Sequence, residues 1–253
     1  MIVLKFGGTS VSTKGSIETI SRIVAKQKEN NPVVVVSALK GITDLLLSLS
    51  ISSTYNQITF LRKIRSDHIQ LIQELWLNQK ERNIHSSYIA GIIKEISALL
   101  KTHQKIGLEF HDKIASYGEI MSSYIICHAL RLNDIPAKQI IASKLIVTND
   151  NFGNAEFCQI LTKKNVIPKL IPLINNNIIP VITGFIGATR EGKITTLGRG
   201  GSDYSASIIG YCLGAREIQI WTDVDGIYAA DPKVVKNAKK LNNISYRLAE
   251  IFA

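Results

Sequence analysis

Cysteine is scarce in this sequence, with three among 253 residues (Cys127, Cys158 and Cys212) lying far apart and without paired spacing. A disulfide framework is therefore not indicated, and reduced thiols in a cytoplasmic compartment are expected. Long apolar runs are also missing. The longest, such as Val33-Val34-Val35-Val36, fall far short of the roughly 18 residues that a membrane-spanning helix needs. Met1 leads straight into Ile2-Val3-Leu4, which reads as a strand, so neither a signal peptide nor a membrane span is expected. The five histidines (His68, His85, His103, His111, His128) show no metal-ligand spacing. Serine or cysteine with histidine in a nucleophile arrangement is likewise absent. The formal charge of +10 comes from lysines and arginines spread along the chain, without aromatic interleaving or a recognisable nucleic-acid module. Small anionic substrates account for that balance at least as well as nucleic acid does.

The composition that remains, 45% hydrophobic and 20% charged, is that of a globular domain with a sizeable core. Val3 to Phe6 and Val33 to Val36 are continuous apolar runs. Between them Ile17, Ile20, Ile23 and Val24 recur at helical spacing up to Asn30-Asn31-Pro32. This is a βαβ unit, and all-apolar strands imply a parallel sheet covered on both faces. Helical periodicity from about 58 to 103 predicts an antiparallel helical pair, followed by a long helix over about 107–130. Further strands are expected at 138–142, 178–183, 193–197 and 217–221, with helices over 155–174 and from 203 to about 213. No repeat, low-complexity stretch or linker breaks the chain, so a single α/β domain over 1–253 is the economical reading.

Two glycine turns carry the chemistry. Lys5-Phe6-Gly7-Gly8-Thr9-Ser10 follows the first strand directly. Its glycines let the backbone approach an anion, and Lys5 adds a fixed charge. It is neither the P-loop pattern nor Gly-x-Gly-x-x-Gly, and taken alone it also reads as a plain tight turn. The second turn, Gly198-Arg199-Gly200-Gly201-Ser202-Asp203, again sits between a strand and a helix N-terminus, where dipole and free amides favour anions. Two such turns in one sheet suggest a shared site beyond the carboxyl ends of the strands. Arg199 suits a bidentate carboxylate contact. Asp203 could orient lysines or bind the metal that accompanies ATP, or serve as a helix first-turn residue.

Together with Ser37-Ala38-Leu39-Lys40-Gly41-Ile42-Thr43, Ser116-Tyr117-Gly118-Glu119, Gly184-Phe185, Thr196 to Ala206 and Trp221-Thr222-Asp223-Val224-Asp225-Gly226-Ile227-Tyr228, these turns resemble the kinase domain of the aspartokinases, within the amino-acid kinases. The match runs in order over nearly the whole chain. It implies an αβα sandwich with a mainly parallel central sheet, and transfer of the ATP γ-phosphoryl group to the side-chain carboxylate of aspartate with Mg²⁺. In that likeness Lys5, Gly7, Gly8 and Asp203 carry the transfer. Ser37, Thr43, Glu119, Phe185, Arg199 and Ser202 form the aspartate site, Glu119 suiting the ammonium and Arg199 a carboxylate. Lys5, Gly8, Ser10, Thr222, Asp223, Tyr228 and Lys233 lie along the nucleotide, and no residue is assigned to a protein-held metal. No membrane or nucleic-acid partner is implied, and a homodimer is compatible with the apolar helical surface.

Two departures from the family's pattern stand out. Ile141-Ala142-Ser143 replaces the usual Asp-Ala-Arg. The sequence also stops before the Gly-Ala-Lys-Val-Leu-His-Pro segment that carries a second active-site lysine. The resemblance thus implies a catalytic domain without its last segment or the ACT regulatory domains. Two alternatives stay open: a kinase for another acidic substrate such as glutamate or N-acetylglutamate, and a nucleotide- or amino-acid-binding module without turnover.

Overall fold

Five strands form the central sheet in the computed structural model, which describes residues 1–102, 107–222, 226, 228–230, 234–235, 237–241 and 244–245. They are β1 (Ile2–Phe6), β2 (Pro32–Val36), β3 (Ala137–Ile140), β4 (Ile179–Thr183) and β7 (Glu217–Trp221), ordered β3-β4-β2-β1-β7 and all parallel. β1, β2 and β4 are buried at every position, as their unbroken β-branched and aliphatic runs require of strands covered on both faces. Pro32 is tolerated because it opens its strand.

Alternation along these strands divides the core in two. Ile2, Leu4, Phe6, Val34, Val36 and Val181 point into one hydrophobic cluster, whereas Val3, Val33, Val35 and Ile182 point into the other. The first cluster is closed by α1 (Lys14–Lys26), α2 (Ile42–Leu49), α3 (Thr54–Leu75), α4 (Gln79–Thr102) and α5 (Leu108–Leu132). The second is closed by α6 (Gln159–Asn175) and α7 (Gly201–Leu213). The architecture is therefore the three-layer αβα sandwich expected from the sequence. No helix among the described residues is long and apolar enough to cross a membrane.

Local sequence explains the helix bounds. Thr13 caps α1 with a capping box to Ser16. The helical pair spans 54–75 and 79–102, close to the expected bounds. Pro168 and Pro172 lie inside α6 but on its exposed side, where water can satisfy the carbonyls they free.

Two elements escape the sequence reading. α2 is a helix, with Ile42, Leu46 and Leu49 buried at helical spacing. The strand read at 193–197 is β6 (Ile194–Thr196), and it pairs antiparallel with β5 (Ile186–Ala188) in a separate two-stranded sheet. The expectation that both glycine turns follow strands of one sheet is thereby corrected, since only the first does. β5 and β6 turn back on themselves as a hairpin instead of crossing over, which an antiparallel pair needs no helix to do.

The chain divides into two compact units, 1–221 and 222–253. In the second, Tyr228 bridges Lys240 in antiparallel fashion, and the Ala229 N–H donates to the Lys239 carbonyl.

Candidate active site

Because the five strands are parallel, the turns after β1, β2 and β4 emerge at the same edge of the sheet, at the carboxyl ends where ligands collect in such folds. The β1 turn begins with Lys5, almost fully buried, and continues into a short 3₁₀ turn over Thr9–Val11 with Gly8 at its N-cap. Ser12 ties this turn to the one after β2. Its hydroxyl donates to the Gly8 carbonyl at 2.5 Å and accepts from the Lys40 N–H at 2.8 Å. Ser10 is half-buried in the same turn. The Gly7 N–H donates to the Trp221 carbonyl at 3.3 Å, extending the β1–β7 ladder. Gly7 is thus placed beside the Lys5 ammonium, with its amide bonded to the Trp221 carbonyl.

The second glycine turn arrives from the small sheet, yet it meets the first. Lys5 Nζ lies 2.6 Å from Asp203 Oδ1, with the Asp203 side chain about half exposed (49%). Asp203 stands in the first turn of α7, the helix that Gly200 caps in a left-handed conformation. Ser202 is half-buried beside it, and Arg199 is exposed on the turn.

Gly198 has φ +76°, and a Cβ built on it would come within 2.3 Å of Asn154 Oδ1. Replacing it with alanine combines left-handed strain of about 1–2 kcal/mol with a steric clash. Gly198→Ala is expected to lower the melting temperature by roughly 5–10 °C for a chain of this size. Gly192 also has a positive φ, +85°, with nothing within 4 Å of the added Cβ. Gly192→Ala should therefore cost strain alone, and about half as much. Equal shifts in thermal unfolding for the two variants would remove the Asn154 contact from the account.

Glu119 approaches from α5, which crosses the sheet so closely at Gly118 that a Cβ there would sit 2.8 Å from the Ala38 Cβ. This explains the Gly118-Glu119 pair: the glycine brings the helix down, and the carboxylate then reaches the β2 turn. Glu119 Oε1 accepts from the Ala38 N–H at 3.2 Å, whereas Oε2 is buried without a protein partner. Burial pushes the Glu119 carboxyl up to about 8, only partly opposed by the Ala38 bond. The neighbouring Ser37 carbonyl accepts from the Ser122 hydroxyl at 2.6 Å. Thr43 lies in the first turn of α2, next to Ile42, whose side chain faces Gly118.

Phe185 holds a positive φ of 68°, an uncommon conformation for a bulky residue. It is fixed from both sides: its N–H donates to Ser205 Oγ at 2.9 Å, and its carbonyl accepts from the Leu197 N–H at 2.9 Å. Strain of about 1–3 kcal/mol at such a position persists only where the surroundings over-determine it.

The structure thus brings Lys5, Gly8, Ser10, Ser37, Glu119, Phe185, Ser202 and Asp203 onto three adjoining turns and the two helices behind them. Thr222 and Tyr228 belong to the second unit, and Asp223 and Lys233 lie outside the described residues. Three contributors escape the sequence reading: Ser12, Asn154 and Asp112. Asp112 stands seven residues before Glu119 on the same helix, and that spacing on one helical face was the available signal.

The amino acid kinase family matches the chain over residues 1–253. The aspartokinase of Chlamydia muridarum is 34% identical over 97% of this chain and 53% of its own length. The lysine-sensitive aspartokinase 3 of Escherichia coli is 34% identical over 97% of this chain and 54% of its own. The crystal structure of E. coli aspartokinase III in complex with aspartate and ADP superposes with a TM-score of 0.89 at 34% identity, covering 95% of this chain and 53% of that one. The chain spans about half the length of the curated relatives it matches.

Proposed function

Since the chain belongs to the amino acid kinase family, we propose that it phosphorylates the side-chain carboxylate of aspartate with ATP, forming 4-phosphoaspartate and ADP. One observation carries the reading: the 2.6 Å pair between Lys5 and Asp203 joins two anion-suited turns that the sequence separates by almost the whole chain. The relatives named aspartokinase, and the likeness to a structure holding aspartate and ADP, support aspartate as the acceptor.

The chemistry asks little covalent help from the protein. A carboxylate oxygen of aspartate attacks the γ-phosphorus, the bond to the β,γ-bridging oxygen breaks, and its electron pair leaves with ADP. The acceptor is already ionised, so no general base is required. Two anions must instead be brought together and the charge that develops between them offset. Lys5 supplies that compensation on the phosphoryl side. Arg199 and Ser202 hold the acceptor's carboxylates at the α7 N-terminus, where the dipole favours anions. Glu119 takes the ammonium on its buried, unpartnered Oε2.

Among the described residues no three histidines, cysteines or carboxylates converge to hold a metal ion. Mg²⁺ would arrive on the nucleotide, since that ion keeps several waters and needs only one or two protein carboxylates. Asp203, half exposed, is the residue suited to it, and the ion would offset charge on the phosphate oxygens.

Coupled ADP release tests the reading. Turnover is expected with aspartate and ATP, and less than about a tenth of it with glutamate, because one added methylene shifts the reacting carboxylate out of line. Equal rates with glutamate would overturn aspartate as the substrate. Calorimetric binding of both ligands with no phosphoaspartate formed would instead establish a binding module.

A further inference from the structure

We infer that Asp112, which touches neither reactant, is the positioning residue that sets the Gly198–Asp203 turn in register with Glu119. Asp112 is 3% exposed and faces three donors from two distant segments. Its Oδ2 accepts the Gly153 N–H at 2.8 Å and the Thr196 N–H at 2.9 Å, and its Oδ1 accepts the Thr196 hydroxyl at 2.7 Å. Thr196 ends β6, two residues before Gly198. Gly153 immediately precedes Asn154, the residue against which Gly198 packs. The Ala155 N–H closes the arrangement on the Thr196 carbonyl at 2.9 Å. One carboxylate therefore anchors both sides of the entry to the glycine turn.

The anchor is α5 itself. Asp112 and Glu119 are seven residues apart, two helical turns on one face, or about 10 Å along the axis. A rigid helix thus carries the residue that receives the acceptor's ammonium and the residue that holds the turn receiving its carboxylates. β5 and β6 lie outside the central sheet, so sheet hydrogen bonds do not fix that turn against Lys5 and Glu119. The Leu197 and Ser205 bonds to Phe185 tie the turn to the end of β4, and Asp112 adds the tie to the helix that carries Glu119. Burying a carboxyl is costly unless it is well bonded, and three aligned donors meet that condition here.

The proposal rests on the reading of Glu119, Arg199 and Ser202 as the acceptor site, and three variants test it. Asp112→Leu removes every acceptor. Asp112→Asn can still accept both backbone N–H groups on its amide oxygen and donate to the Thr196 hydroxyl, which rotates to receive it. Thr196→Val removes a single bond and serves if the leucine variant does not fold. Asp112→Leu is expected to raise the KM for aspartate about tenfold or more and to leave the KM for ATP within about twofold. Thr196→Val should produce a smaller shift of the same selectivity, and Asp112→Asn should restore most of the wild-type value.

Amide hydrogen exchange without ligand supplies an independent arm. Peptides covering 197–203 should exchange about tenfold faster in the leucine or valine variant, with the β1 and β2 peptides unchanged. Parallel rises in both KM values, or exchange lost uniformly across the sheet, would reduce Asp112 to a general stability role and overturn the inference. If the wild-type protein proves not to use aspartate, the functional reading fails, and the exchange arm alone then decides on Asp112.

Discussion

Lys5→Met is expected to lower turnover with aspartate and ATP by about 10²–10³-fold, the loss typical of removing one preorganised contact to a developing charge. Steady-state ADP release measures it. Lys5 is 8% exposed at the end of a strand buried on both sides, so methionine can occupy its channel without leaving a cavity. The Asp203 side chain is half exposed and can rehydrate when its partner is lost, so thermal unfolding should move by only a few degrees. Lys5→Arg should not rescue the rate, because the forked guanidinium cannot occupy the place of a point charge packed this closely. Turnover within tenfold of wild type in Lys5→Met would remove the lysine from the phosphoryl-transfer step.

Glu119→Gln should produce the largest change in how stability responds to pH. The carboxyl titrates near 4.5 when unfolded and is pushed up to about 8 in the folded chain, chiefly by burial. The folded state therefore holds this proton more tightly. The corresponding stability is fully present below pH 4.5 and is lost as pH rises through about 8, with a total on the order of 4–5 kcal/mol. In Glu119→Gln the amide oxygen can keep the Ala38 bond with nothing to ionise. Denaturant unfolding between pH 5 and 8.5 should show a falling stability for the wild type and a flatter profile for the variant. Parallel profiles would exclude Glu119 as their origin.

The same group predicts a linked binding effect. An ammonium arriving beside Glu119 favours the ionised carboxylate, so aspartate binding at pH 7 should release a proton. Its calorimetric heat should then vary with the ionisation enthalpy of the buffer.

Much of this was legible in the chain, and the reasons differ by residue. β1, β2 and β4 declared themselves because strands buried on both faces have no polar alternation to confuse. α2 was hidden by its Leu45-Leu46-Leu47 run, which masks the 42, 46, 49 spacing. β5 is three residues with a glycine at its centre, too short for any periodicity to register. The two glycine turns could be read because their chemistry is local. Which sheet feeds the second turn could not, since that depends on pairing between Ile186–Ala188 and Ile194–Thr196 and not on either segment alone. Asp112 was hard to read for a related reason, since beyond its seven-residue spacing from Glu119 nothing local marks it. Its partners lie 41 and 84 residues away, and a lone aspartate in the second turn of a helix looks like an ordinary surface charge.

The order of the central sheet also dictates when the protein can work. β1 is made first, but one of its two edges pairs with β7, Ile2 against Glu217 and Phe6 against Trp221. At typical rates of synthesis that partner follows about 10–40 s later. Through that interval an apolar strand carrying Lys5 keeps an unpaired edge, a template for aggregation that invites chaperone cover. The Gly7 bond to Trp221 can form only when β7 docks, so the glycine turn after β1 is among the last features of this unit to set. Such long-range parallel pairing folds slowly, and refolding should recover helical signal well before it recovers nucleotide binding.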